Sequence, residues 1–292
     1  MKGYLIVNAF LNTDKFQEIH SMLINSFKEN NVELIIKTNI EMMVCIQNNE
    51  IIDTDFVLFW DKDVLLAKHL EKRNIKVFNN SKAIEICDDK GLTAVCLQNY
   101  NIPMPKTILA PFTYQNIGYT SYDFLNNVIK EINFPIVIKE NKGSFGKQVY
   151  LANDYTSLLE IVKSIGAKSM LFQEFIKESN NEDVRIYTIN KKYVLGVKRI
   201  ACEGDFRANV TNGGSMVKFD PPKEFIELAE KISTILDVDF AGVDLMFGKN
   251  GKPVFCEINS NAHFKNVYNV TGVDLSKPYA KFILELLKWT FG

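Results

Sequence analysis

The sequence predicts a mixed α/β chain: a small parallel βαβ unit first, then two α+β units built on antiparallel strands. Three observations predict it. Strand-like and helix-like apolar segments alternate over residues 1–83. A proline-containing break, Ile102-Pro103-Met104-Pro105, follows. Beyond it, strands pair around short turns rich in glycine and asparagine.

In order, residues 4–8 are apolar and rich in strand formers, and over 14–30 Phe16, Ile19, Leu23 and Phe27 recur at helical spacing. Residues 32–37 and 56–60 read as buried strands. Residues 62–73 read as a helix with Leu65, Leu66, Ala67 and Leu70 inward, and 76–78 as a short strand. Such alternation gives a parallel sheet with helices on its faces. Residues 81–86 and 88–100 read as helices. The second has Leu92, Val95, Cys96 and Leu97 apolar, with Asp88 and Asp89 in its first turn, where acids favour the helix dipole. Pro103 and Pro105 end it. A new sheet begins at 107–110, 122–132 is helical, and 135–140 pairs with 148–151 around a glycine-containing loop. Residues 155–165 form a helix and 170–174 a strand. Residues 183–189 and 193–199 flank Asn190-Lys191-Lys192 as a hairpin. After Pro221-Pro222, Phe225, Leu228, Ala229, Ile232, Ile235 and Leu236 mark an amphipathic helix. Strands at 239–247 and 253–259 are joined by Gly248-Lys249-Asn250-Gly251, and a final helix covers 278–289. The division expected is 1–83, 84–169 and 170–292.

Composition narrows the function classes. The 292 residues are 47% hydrophobic and 24% charged, which excludes a disordered or collagen-like chain. Lys+Arg number 34 against 35 Asp+Glu, so no net basic charge points to nucleic acid. No apolar run approaches the ~20 residues of a membrane span, so no membrane association is expected. The apolar run at the N-terminus is too brief for a signal-peptide core. Five cysteines with no CxxC pair suit reduced thiols in the cytoplasm.

Chemistry concentrates on two late strands. Gly242-Val243-Asp244-Leu245-Met246-Phe247 sets one acid in an apolar run, and Val254-Phe255-Cys256-Glu257-Ile258-Asn259 puts Glu257 and Asn259 on one face. A buried carboxylate is costly unless paired or bound to a cation. Two carboxylates and an amide oxygen suit Mg²⁺, with Mn²⁺ an alternative. Either acid alone reads better as a partner of Lys or Arg, or as facing solvent; the pair of strands together favours the metal. Cys256 alternates to the opposite face from Glu257 and reads as core. Glycines in Gly143-Ser144-Phe145-Gly146-Lys147 would let backbone amides approach phosphate. The loop is neither a P-loop nor a GxGxxG, and alone it reads as a hairpin turn. Lys139 ends the apolar strand before it. Gln173-Glu174-Phe175-Ile176 would offer backbone groups to an adenine edge, and the guanidinium forks of Arg199 and Arg207 suit phosphates or carboxylates. No Ser/His/Asp or Cys/His set stands out.

Taken in order, these motifs resemble the ATP-grasp superfamily, and within it the RimK-type carboxylate–amine ligases, over about residues 81–275. The resemblance is carried by Asp88-Asp89-Lys90-Gly91-Leu92-Thr93, Ile102-Pro103-Met104-Pro105-Lys106-Thr107, Phe134-Pro135-Ile136-Val137-Ile138-Lys139, the glycine loop and Gln173-Glu174-Phe175-Ile176. Further along stand Glu182-Asp183-Val184-Arg185, Gly204-Asp205-Phe206-Arg207-Ala208-Asn209, Gly213-Gly214, Ala241-Gly242-Val243-Asp244 and Glu257-Ile258-Asn259.

The resemblance implies an ATP-grasp fold: a small N-terminal domain, 1–83, and two α+β subdomains, 84–169 and 170–292, enclosing the nucleotide. Lys90 and Lys139 would bind ATP, and Gly143, Ser144, Phe145 and Gly146 would cover its phosphates. Glu174, Phe175 and Ile176 would hold adenine, and Asp183 the ribose. Arg207 and Asn209, with Arg199, would face the triphosphate and an acyl phosphate. Asp244, Glu257 and Asn259 would hold two Mg²⁺. The implied reaction activates a carboxylate as an acyl phosphate and joins it to an amine, releasing ADP and phosphate. Either partner would be a small molecule or a peptide, and self-association into a homo-oligomer is left open. Alternatives are a ligase that crosslinks a precursor peptide, a non-catalytic ATP-binding regulator and a kinase. One departure stands out. Where the family continues with Ala-Ser-Pro-Gly after the asparagine, this chain has Ser260-Asn261-Ala262-His263-Phe264. The acceptor is therefore expected to differ, with His263 read as an acceptor-side base or as a structural loop histidine.

Overall fold

The computed structural model describes residues 1–47, 51–144, 146–202, 204, 206–208 and 213–291. Its first sheet is parallel, in the order β2-β1-β3-β4: β1 (Lys2–Val7), β2 (Glu33–Thr38), β3 (Phe56–Trp60) and β4 (Lys76–Phe78). Helices α1 (Asp14–Lys28) and α2 (Val64–Lys72) connect them. Strand β3 is buried throughout, but β2 is not. It has one neighbour only and leaves Ile36 39% exposed, which corrects the expectation of a buried strand. In α2, Asp63 caps the helix by accepting from Leu66 N at 3.0 Å, and this phase turns Leu66, Ala67 and Leu70 inward. Leu65 falls on the outer side, 79% exposed, against expectation.

The two helices expected next are present, with the break at Asp89 instead of residue 87 and the second helix ending at Leu97 instead of residue 100. α3 (Ser81–Asp88) ends, and α4 (Lys90–Leu97) restarts at Asp89, whose carboxylate accepts from Leu92 N at 2.9 Å. An N-cap carboxylate satisfies the orphan amides of a new helix and so favours a restart there. A second sheet follows in the order β5-β8-β6-β7: β5 (Thr107–Leu109), β6 (Ile136–Glu140), β7 (Val149–Ala152) and β8 (Met170–Glu174), all pairs antiparallel. It carries α5 (Leu125–Glu131) and α6 (Tyr155–Ile165) over a core of its own that includes Ile136, Leu158, Val162 and Phe172. Strand β8 is hydrogen-bonded into this central sheet, so a division at 169/170 separates it from its neighbours.

The third sheet is antiparallel, ordered β11-β10-β9-β12-β13: β9 (Glu182–Ile189), β10 (Lys192–Ile200), β11 (Ser215–Lys218), β12 (Phe240–Phe247) and β13 (Pro253–Asn259). Asn190 and Lys191 take φ of 50° and 63° in the β9–β10 turn, the left-handed pair that matches strand twist in a two-residue hairpin. Helix α7 (Lys223–Ile235) covers one face through Phe225, Ala229 and Ile232. Helices α8 (Lys265–Thr271) and α9 (Ser276–Phe291) follow β13. Trp60 stacks on Phe240 at 6.0 Å, and Tyr279 of α9 lies 4.8 Å from Phe240, so the first and third sheets share one core. The four residues of β11 and the seven of α8 were not expected from the sequence.

Candidate active site

One cleft runs between the second and third sheets. Lys139 of β6, Lys90 at the start of α4, Asp183 of β9, Arg199 of β10 and Glu257 and Asn259 of β13 all line it, with Arg207 from the stretch between β10 and β11. Five cations and four carboxylates face it among the described residues, a balance that favours an anionic ligand. Burial depresses the pKa of the Lys90 ammonium, and the charge of Glu257 opposes that effect. Lys90 donates to the Gly143 carbonyl at 3.3 Å. Its position depends on Gly91, where any Cβ would come within 2.4 Å of Asn141 Nδ2. Asn141 in turn donates to Asp89 Oδ1 at 3.0 Å, tying the helix start to the end of β6.

Strand β13 does not alternate regularly. Asp244 pairs with Glu257 and Leu245 with Phe255, leaving Cys256 as the extra residue of a β-bulge. A bulge re-aims side chains locally. Cys256 and Glu257 therefore both line the cleft, correcting the reading of Cys256 as core. Lys139 donates to its sulfur at 3.8 Å. Burial raises the thiol pKa to about 11 although Lys139 pulls it down, which keeps Cys256 protonated.

Asp244 is fully buried behind the cleft wall instead of on it. Its Oδ1 accepts from Arg185 Nε at 2.6 Å, and its Oδ2 from a terminal nitrogen of Arg185 at 2.6 Å and of Arg199 at 2.8 Å. Burial would raise its pKa, but the two guanidinium groups outweigh it and hold the group at about 2. Arg199 also grips Asp183 bidentately, with both bonds at 2.6 Å, yet burial pushes Asp183 up to about 6 against that attraction. Asp244 was expected beside Glu257 and Asn259 as a metal ligand; here arginines occupy its oxygens. Its carboxyl nonetheless lies against that of Glu257. Two adjacent carboxyls match part of the oxygen donor set of a hard divalent cation, while the buried, unpartnered Asn259 amide nitrogen two residues on is a donor that an anionic oxygen would satisfy.

The glycine loop is latched on three sides. Gln148 Oε1 accepts from Ser144 N at 3.1 Å, Lys62 donates to Ser144 Oγ at 3.1 Å, and Arg207 donates to the Gly146 carbonyl at 2.9 Å. Gly146 has φ 70°, a left-handed conformation that glycine adopts without strain. At the other end of the cleft, Glu174 is exposed, and its carboxylate accepts from Lys106 N at 3.0 Å. Phe175 and Ile176 line the cleft, and Phe206 packs edge-on to Phe175 at 6.3 Å. Phe145 and Asn209 lie outside the described residues.

The sequence reading gave no role to Lys62 or Arg185. The signal for Arg185 was its i+2 spacing from Asp183, which puts both on one face of β9. Lys62 comes from the first sheet's unit, and nothing local marks its reach. His263 packs edge-on against Phe16 of α1 at 5.7 Å, and its carbonyl accepts from the Tyr187 hydroxyl at 2.8 Å. Burial and then the charge of Lys15 push the imidazole down to about 3, which removes its value as a base at neutral pH.

Comparison with known proteins agrees with this architecture. The RimK-like ATP-grasp domain profile matches residues 87–283. The chain is 30% identical over 228 residues to human N-acetylaspartylglutamate synthase A, covering 78% of this chain and 57% of that one. It is 32% identical over 221 residues to a Legionella pneumophila protein named "Probable alpha-L-glutamate ligase", covering 75% of this chain and 70% of that one. The crystal structure of D-alanine–D-alanine ligase from Bacillus anthracis with ATP superposes with a TM-score of 0.74 over 99% of both chains at 19% identity, a likeness of fold. The profile begins at the α3–α4 break and ends within α9, so it takes in both walls of the cleft, and the chain belongs to the RimK-like ATP-grasp family.

Proposed function

We propose that the cleft binds ATP and that the chain is an ADP-forming ligase joining a carboxylate to an amine. The γ-phosphoryl group passes to the substrate carboxylate, giving an acyl phosphate and ADP. The amine then attacks the acyl carbon, the C–O bond to phosphate breaks, and an amide, phosphate and a proton leave. Glutamate occurs in the names of both relatives, and we take an amino acid of that class as the amine. Bound Mg²⁺ would neutralise charge on the transferring phosphate.

The protein's own part is to bind, orient and shield. Lys90 and Lys139 stand at the phosphate end, the loop at Gly143 and Gly146 covers it, and Arg207 reaches both. Phe175 and Ile176 form the adenine wall, with Asp183 and Arg199 deeper in the cleft. Glu257 and Asn259 would hold the cation, and Asp244 joins them when a guanidinium gives way. No protein nucleophile is required, because positioning and charge compensation carry this chemistry. The observation that carries the proposal is the pairing of Asp244 with Glu257 across β12 and β13, beside a cleft lined by the buried Lys139 and the half-buried Lys90.

Glu257→Gln keeps the shape and removes one charge. It should lower ADP release by about 100-fold or more and raise the Mg²⁺ needed for half-maximal rate, while the melting temperature is kept. Near-normal turnover at ordinary Mg²⁺ would reject the metal role of this pair.

A further inference from the structure

Lys62 stands between β3 and α2, in the first sheet's unit and outside the matched residues 87–283. Its main chain is pinned from several sides. The carboxylate of the buried Asp61 accepts from Lys62 N at 2.7 Å and from Asn8, just past β1, at 3.1 Å. The Asp61 carbonyl accepts from Nδ2 of Asn261, two residues past β13, at 2.8 Å. On the other side Asp63 caps α2. The Lys62 side chain therefore starts from a fixed root.

From that root it enters the cleft wall. Its ammonium donates to the Asp88 carboxylate, at the end of α3, and to Ser144 Oγ at 3.1 Å. The glycine loop is thereby held from three separate parts of the chain: Gly143 by Lys90 of α4, Gly146 by Arg207 from between β10 and β11, and Ser144 by Lys62 from beside β3. Gln148, which accepts from Ser144 N, belongs to the same β6–β7 connection as the loop. An ion pair between exposed side chains contributes little, so pairing with Asp88 alone gives no reason for a lysine to reach into the cleft. Its presence there has a cost, because its charge opposes that of Lys90. A polyanion in the cleft offsets that repulsion.

We propose that Lys62 is a positioning residue of the nucleotide site: through Ser144 it fixes the glycine loop over the phosphates from the side of the N-terminal unit. This rests on the reading of the cleft as an ATP site. Lys62 is rooted through Asn261, in the segment that departs from the family's pattern, so the nucleotide loop and the expected acceptor side share one anchor.

The test is calorimetric titration of the full chain, in Mg²⁺, with a non-hydrolysable ATP analogue and with adenosine. Lys62→Met should weaken the analogue about tenfold, the loss of one charge-assisted contact. Adenosine, which has no phosphate for the loop to cover, should bind as before. The Lys62 side chain is 40% exposed, so the melting temperature should hold. Lys62→Arg should recover most of the affinity. Ser144→Ala should weaken the analogue too, and adding Lys62→Met to it should cost much less than in the wild type, since both changes remove the same bond. Unchanged analogue affinity in Lys62→Met would show a surface ion pair only. Additive losses would show that Lys62 does not act through Ser144, and equal weakening of adenosine would show a distorted cleft. Each of these overturns the proposal. Failure of the ATP reading looks different: the wild type itself then binds the analogue no better than adenosine, and both proposals fall. Failure of the ligase step alone leaves all these affinities as expected while no carboxylate–amine pair releases ADP.

Discussion

Buried carboxylates in this chain sit in two electrostatic situations, and residue substitutions separate them. Asp244 has two guanidinium groups and stays ionised. Asp239, half-buried just before β12, has among the described residues no guanidinium partner but the charges of Lys76 and Lys191, and burial still pushes it up to about 6. A raised carboxyl binds its proton more tightly in the folded state than in the unfolded one. It therefore favours folding fully below its unfolded pKa near 3.8, and that contribution is lost as pH rises through about 6. Asp239→Asn should accordingly stabilise the protein at pH 7 by on the order of 1–2 kcal/mol and change little at pH 3.5. Urea denaturation at the two pH values checks this; equal gains at both would mean that the charge is not what is costly. The Asp244 assembly answers differently: removing one member of a buried, paired cluster leaves an uncompensated charge.

At the scale of elements, the α3–α4 break positions the site. Gly91→Ala puts a methyl group 2.4 Å from Asn141 Nδ2, so Asn141 must leave its bond to Asp89. The start of α4, and Lys90 with it, should then move off the β6 end. We expect a loss of about 1–2 kcal/mol in stability and roughly tenfold weaker ATP binding. Wild-type ATP affinity in this variant would show that Lys90 does not depend on that tie. The same break shows what local sequence carries. Asp89 is a good N-cap residue, and the acids there mark a restart in the sequence; what the local pattern does not settle is which acid caps, so it reads Asp88 and Asp89 into the first turn although Asp88 closes α3 and Asp89 caps α4. Helices α1, α6 and α7 were legible because their apolar residues repeat at helical spacing. The β13 bulge was not, because register is a property of two strands and β12 stands before it in the chain. Cys256 was assigned to the wrong side for that reason. The motif residues Lys90, Lys139, Asp183, Arg199, Arg207, Glu257 and Asn259 do converge on one cleft, whereas Lys62 and Arg185 emerge only when distant segments meet.

Over the whole molecule, the central unit keeps a separate core while the first and third sheets are fused through aromatic packing. Trp60 touches Phe240, Phe264 and Tyr279 at ring distances of 5.8–6.0 Å. Trp60→Ala should therefore cost about 3–5 kcal/mol and lower the unfolding midpoint of the first and third sheets together. Hydrogen exchange resolved by segment tests this: β1 and β12 should lose protection in step, and separate loss would show that the two sheets are not one cooperative unit.

That fused core has a consequence during synthesis. Leu5, Phe27 and Phe56 emerge early, yet Tyr279, Ile283 and Leu287, which complete their packing, lie in α9. On the ribosome the first sheet leaves the tunnel with its inner face uncovered and stays so until α9 arrives. The central unit, whose core draws only on residues between Leu125 and Phe172 among its fully buried members, can close well before that. Order of emergence and order of folding are thus inverted between these units: the first sheet is made before the central unit yet is finished after it, and its apolar face must be kept from other chains until α9 is made.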